Sequence, residues 1–310
     1  MVTGALLLYL KSAAKPYCWL HSAFFRKFAA NDKPLHMLIT YTFFQHALLG
    51  SLLACLLCAM VGTYVVTRRM VIMGGGMAHA SLGGVGLGAY FGFSPLIGAA
   101  VFALFSGLGI EALSSRKRVR EDSAIALLWT LGMSIGILFS YLTPGFMTDL
   151  PAYLFGDVLS ITQSDLWLMG MLTGLTFLFF NRCLDAIILV AYDRDFARTQ
   201  RLPVRTLETI MTALMALTIV GCLHMVGIVL VVSLLSVPQM TAALFARTFR
   251  SIVWLSALIG YAGCLGGLWL SYAANVPSGA AIILCAIAIY FICRTIKWGT
   301  KRFFNRTTPS

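Results

Sequence analysis

Long stretches of this chain carry no Asp, Glu, Lys or Arg: Met70 to Ile110, Ser123 to Thr148, Thr209 to Ala246 and Ser251 to Cys293. A helix crossing a bilayer needs about 20 apolar residues, so the runs of roughly 40 must each hold two crossings joined by a tight turn. Inside hydrocarbon the backbone must satisfy its own hydrogen bonds, and a helix does so within one segment. The expected fold is therefore an all-α integral membrane protein, a polytopic bundle of eight or nine transmembrane helices. Composition agrees. The chain is 59% hydrophobic and only 11% charged, whereas soluble domains average about 25% charged.

Read along the chain, the spans fall at about 45–66, 73–92, 95–113, 123–142, 165–181, 207–223, 226–245, 251–273 and 277–297. Residues 183–191 are apolar but too short to cross, and 144–160, with two prolines, reads as a loop with a short helix. Residues 1–36 form a basic N-terminal extension, 37–297 the transmembrane domain and 298–310 a basic cytoplasmic tail. Basic residues mark one side: Arg68 and Arg69; Arg116, Lys117, Arg118 and Arg120; Arg194, Arg198, Arg201 and Arg205; Arg247 and Arg250; and Arg294 onward. By the positive-inside rule that side, with the C-terminus, is cytoplasm. The same count puts the basic arm 1–36 outside. That calls for a partial span in the arm or a re-entrant segment, for which 226–245, interrupted by Pro238, is the candidate. The net charge of +12 reflects these loops, and no nucleic-acid reading motif accompanies it.

No enzyme constellation is present: the chain has no GxxxxGK[ST] phosphate loop, no HExxH and no GxSxG. The chain is therefore expected to hydrolyse no ATP itself. Intramembrane acids of the kind ion-coupled carriers use are scarce, Glu111 being the nearest. Cys55 and Cys58 form a CxxC inside a span and read as apolar filler.

The segment from Met70 to Gly88 stands apart. It is membrane-like yet holds His79 among Gly74, Gly75, Gly76, Gly83, Gly84, Gly86 and Gly88. An ionisable residue in lipid is costly and tends to mark a route for something polar. His79, Gly75, Gly76 and Ser81 are thus candidates for a pathway lining, with His79 the one candidate metal contact, since neutral imidazole suits zinc and iron. The competing reading is an imidazole hydrogen-bonded inside the bundle, with glycines that let helices approach closely. The loop 192–205 is different again. Asp193, Asp195, Phe196, Arg198, Arg201 and Pro203 give alternating charge, an aromatic and a stop signal. Two readings stand there, a solvated loop or a short amphipathic helix on which a soluble partner docks.

Several segments together resemble the permease subunits of ATP-binding-cassette importers for zinc, manganese and iron. Phe43 to Leu49 looks like that family's first-span opening. Arg68-Arg69-Met70 followed by Gly74 to Gly88 resembles its "RRM…GDALSHA…PGVALG" segment. Tyr153 to Ser160 resembles "LFGDLLS", and Asp193 to Val204 resembles "DEEFARALGLPV", which faces the ATPase. Val226-Gly227 through Pro238, then Leu270-Ser271-Tyr272 and Pro277 to Ala280, complete the order, covering about residues 40–297. Gly75 stands where the family often has Asp, one turn before the histidine, and Arg201 stands where "LGLPV" has glycine. The resemblance implies a permease homodimer in the bacterial cytoplasmic (inner) membrane. Two cytoplasmic ATP-binding-cassette ATPases and an extracytoplasmic metal-binding protein would serve it. It implies no cofactor bound in this chain, a divalent metal ion as cargo, and ATP used by the partner. A permease for a metal chelate or haem, an ion-coupled secondary carrier and a membrane-embedded enzyme are the other readings.

Overall fold

The computed structural model describes residues 42–115, 120–144 and 161–307, with Tyr153, Leu154, Gly156 and Val158 between them. The basic extension 1–36 lies outside the described residues, as does most of the 144–160 loop. Among the described residues the order is α1 Thr42–Thr67, α2 Val71–Phe91, α3 Pro95–Ser115, α4 Glu121–Leu142, α5 Gln163–Tyr192, α6 Arg194–Thr199, α7 Val204–Val226, α8 Ile228–Leu234, α9 Val237–Ala242, α10 Phe249–Ala274 and α11 Ser278–Thr307. The all-α membrane bundle expected from the sequence is what forms.

Seven of these helices are long and apolar enough to cross a membrane: α1, α3, α4, α5, α7, α10 and α11. The 21-residue α2 falls outside that set because its glycines and His79 dilute its hydropathy. Burial sorts the layers. In α1 and α7, 72% of the spanning window is buried, against 22–39% for the other five. These two helices and α2 therefore form the centre, and the rest present apolar side chains such as Trp254 and Phe177 outward.

One sequence boundary is corrected. The stretch 183–191, expected to stand apart as too short to cross, continues the preceding span. Together they form α5, a single 30-residue helix, about 45 Å long at 1.5 Å per residue. No breaker lies between Phe180 and Cys183, and a capping box of Thr162 and Asp165 fixes its start. At the other end of the chain, α11 runs on past its apolar spanning window, which ends at Gly299, to Thr307.

The segment expected at 226–245 is broken into α8 and α9, of 7 and 6 residues. The cause is local. Pro238 has no N–H, so the carbonyl of Leu234 four residues before loses its helical donor. Gln239 replaces it: its Nε2 donates to Leu234 O at 3.0 Å and to Cys58 O on α1 at 2.8 Å. Gly62 makes the room, because a Cβ there would sit 2.6 Å from Gln239 Nε2. Gln239→Leu is expected to lower stability by about 2 kcal/mol, through buried carbonyls left without a donor. A thermal melt of the detergent-purified protein measures this.

The glycines of α2 turn out to have different uses. A Cβ on Gly84 would lie 2.0 Å from Gly98 O on α3, and one on Gly86 would lie 2.4 Å from Gly136 O on α4. On the same side of the sandwich, Gly132 approaches the backbone of Ala80. Here α2 is clamped between α3 and α4 at backbone contact, the packing that small residues allow in membranes. Gly75 is not part of this clamp, since a Cβ there would meet nothing nearer than Val232 Cγ1 at 3.9 Å. A further glycine, Gly156, has φ 68 and faces the α7–α8 junction, where a Cβ would come within 2.2 Å of Val226.

Candidate functional site

Ile72, Gly75 and His79 are spaced three and four residues apart, so they share one face of α2. That face is the part of the helix the chain leaves open: Ile72 is exposed, and Gly75 and His79 are half-buried. The imidazole stacks flat on Trp129 of α4, with centroids 4.6 Å apart and planes 7° from parallel. Stacking fixes the orientation of the ring. His79 Nδ1 is buried and has no hydrogen-bond partner among the described residues. The interior hydrogen bond that the alternative reading of His79 requires is therefore not made by that nitrogen. Leaving a buried polar atom unmatched costs about 1–3 kcal/mol.

The other residues singled out on α2 point elsewhere. Ser81 is fully buried and donates its hydroxyl to Ala78 O at 2.6 Å. Gly76 faces α4, where a Cβ would strike Ile125 Cγ2 at 2.6 Å. Of the four, His79 and Gly75 share the open face, and Gly75 lies beside Val232 of the broken pair α8–α9. Discontinuous helices near mid-membrane are a recurrent way to build a transport site. Among the described residues there is no group of three or more His, Cys, Asp or Glu that could hold a metal. Cys55 and Cys58 are buried in α1, with the Cys55 thiol 3.5 Å from that of Cys264.

At the N-terminal end of α2, one turn below Gly75, the ends of α1, α2, α3, α4, α6 and α7 surround a cavity of about 570 Å³ whose lining includes Ile72. Its wall is charged, with Arg68, Arg194, Arg198, Glu111, Asp122 and Glu208 among its lining. This is the end that the basic loops mark. The 192–205 loop contains the short helix α6. Asp193 caps it, its Oδ1 accepting from the backbone N–H groups of Asp195 and Phe196 at 3.1 and 2.9 Å. Arg198 pairs with Asp195 at 3.2 Å on the exposed side. Phe196 is 49% exposed, whereas Ala197 is fully buried against Val190, Val204 and Leu207. The helix thus sits on a small apolar seat and offers an aromatic and charges outward. Pro203 stands at the N-cap of α7.

Arg201 explains the glycine seen in the resembling motif. It has φ 58, with Leu202 N–H bonded to Ala197 O and Arg201 N–H to Arg198 O. That pattern ends a helix through a left-handed residue, normally glycine. Arg201→Gly is expected to raise stability by about 1 kcal/mol, by relieving the Cβ clash of the left-handed conformation. Differential scanning calorimetry of the purified protein checks it.

Sequence reasoning missed Glu208. It is buried, and both its oxygens are paired: Oε1 accepts from Arg68 Nη2 at 2.8 Å and Oε2 from Arg194 Nη2 at 2.6 Å. Its signal was present, as an acid one residue outside the charge-free run that begins at Thr209. An acid so placed reads as an ordinary solvated flank, and only through-space geometry distinguishes it.

Comparison with known proteins bears on what such a bundle does. The ABC 3 transport family matches residues 40–297. A membrane protein of Synechocystis sp., described as uncharacterized, is 39% identical, with 82% of this chain and 90% of that protein covered. The manganese transport system membrane protein MntC of Halalkalibacterium halodurans is 33% identical, covering 82% and 87%. Among solved structures, PsaBC from Streptococcus pneumoniae in complex with Fab superposes with a TM-score of 0.76 at 27% identity, over 83% of this chain and 92% of that one.

Proposed function

The chain belongs to the ABC 3 transport family, and we propose that it is the membrane-spanning permease subunit of an ATP-driven importer of divalent transition-metal ions: zinc, manganese or iron. The observation that carries this reading is His79. It is an imidazole held by a stacked indole, with one nitrogen unclaimed by the protein, on the open face of a helix that abuts a broken one.

The mechanism follows from how little holds the ion. A single neutral imidazole binds such a metal briefly, and a conduction site must release as well as bind. Selectivity then rests largely on the extracytoplasmic metal-binding protein that delivers the ion. Two copies of this chain, meeting across the open face of α2, enclose the route past His79. Two cytoplasmic ATP-binding-cassette ATPases dock on α6, and their closure moves the helix ends between outward and inward states. ATP is hydrolysed in those chains. The cavity end and the C-terminus lie in the cytoplasm of a bacterium, beneath its inner membrane.

A second reading is favoured by one observation. Gly75 puts no side chain beside His79, and a Cβ there would be in ordinary contact with Val232 Cγ1 at 3.9 Å, which suits a cargo larger than a bare ion, such as a metal chelate. The test is uptake by proteoliposomes holding permease, ATPase and binding protein. Free zinc or manganese should enter only with ATP. Uptake of the chelate alone supports the second reading, and uptake driven by a proton or sodium gradient without ATP overturns the importer.

A further inference from the structure

The docking helix α6 and the transport helix α2 share no direct contact through the apolar seat of α6. That seat is built from Val190 of α5 and from Val204 and Leu207 of α7. Movement of α6 must nevertheless reach α2 if ATP is to drive transport. Among the described residues, the polar bridge between them is the Glu208 carboxylate. One oxygen takes Arg194, the first residue of α6, and the other takes Arg68, at the corner between α1 and α2. Arg68 also donates through Nη1 to Val190 O at 3.3 Å, at the end of α5.

The corner itself is stiff. Met70 N–H bonds to Val65 O and Arg69 N–H to Val66 O, and Arg69 takes a left-handed φ of 59. This closes α1 with the same motif that closes α6. A pull on Arg68 is thus delivered to the first turn of α2, which carries His79 two turns further on. Side-chain exposure falls inward along the bridge, from 42% at Arg194 to 20% at Arg68 and 7% at Glu208. The central carboxylate is shielded from water, so its pair with Arg68 is poorly screened, whereas water reaches the Arg194 arm.

We propose that Glu208 is a positioning residue that transmits movement of the docking helix α6, through Arg194 and Arg68, to the α1–α2 corner and so to the His79 helix. This rests on the reading of the chain as an ATP-driven permease. The test uses the whole complex in proteoliposomes and reads metal moved per ATP hydrolysed. Glu208→Gln breaks both arms. Arg194→Gln breaks only the outer arm, at a site water reaches, and serves if the first variant does not fold. Both should lower the ratio about tenfold, within the range of ordinary coupling free energies. Glu208→Asp, which keeps the charge, should stay closer to wild type than either.

If Glu208 only braces the fold, melting temperature and yield will fall while the folded fraction keeps the wild-type ratio, and that overturns the proposal. A wild-type complex with no ATP-dependent uptake overturns the importer reading, and the coupling role with it.

Discussion

His79→Ala is expected to cut ATP-driven metal uptake about tenfold, equivalent to about 1.4 kcal/mol on the rate-limiting barrier. Melting temperature should change little. The ring contributes one stack with Trp129 and sits on the half-open face of α2, so its removal opens no sealed core cavity. Gly75→Asp tests the same face from the other direction. A Cβ there has 3.9 Å of clearance to Val232, so a carboxylate fits one turn from the imidazole. Two ligands on one helical face should tighten zinc or manganese binding by about tenfold or more and slow release. Isothermal titration of the purified permease, run beside ATP-driven uptake, measures both. If His79→Ala transports at the wild-type rate and Gly75→Asp gains no affinity, the ion takes another route and His79 is structural.

Gly84→Leu is expected to have the largest effect on the fold. Its Cβ would lie 2.0 Å from Gly98 O and 2.7 Å from Ala99 N, and backbone cannot rotate aside as a side chain can. Forcing α2 from α3 should cost about 3 kcal/mol or more, at the upper end of overpacking penalties. The folded protein should largely disappear from detergent extracts. Gly75→Ala is the contrast, expected within about 0.5 kcal/mol of wild type because nothing crowds that site. Equal yields and melting curves for the two variants would show that α2 is not clamped by α3.

Much of the candidate site was legible before the structure. His79 stood out as the ionisable residue in a charge-free run. The short helix α6 was foreshadowed by the alternating charge of 192–205 and by Pro203 as a stop, signals confined to a few residues. Pro238 marked the break between α8 and α9. What the sequence left open was which glycines pack and which line open space, since all of them look alike in one dimension. Gly76 and Ser81 sit beside Gly75 and His79 in the sequence, but the helical turn directs them into the packed interior.

The sequence by itself determined the all-helical membrane class, the order of the spans and the end of the bundle where basic residues gather. Each of these is set within a window of about 20 residues by hydropathy and by turn or capping chemistry. Tertiary structure alone decided that Glu208 joins Arg68, 140 positions away, to Arg194, and that Gln239 repairs the broken helix by reaching Cys58 across 181 positions. It alone set Gly84 against Gly98 while leaving Gly75 uncrowded. The physical reason is the same in each case. Burying an ion pair, matching an orphaned carbonyl and bringing two backbones into contact depend on distances between helices, and no local period of the chain encodes those distances.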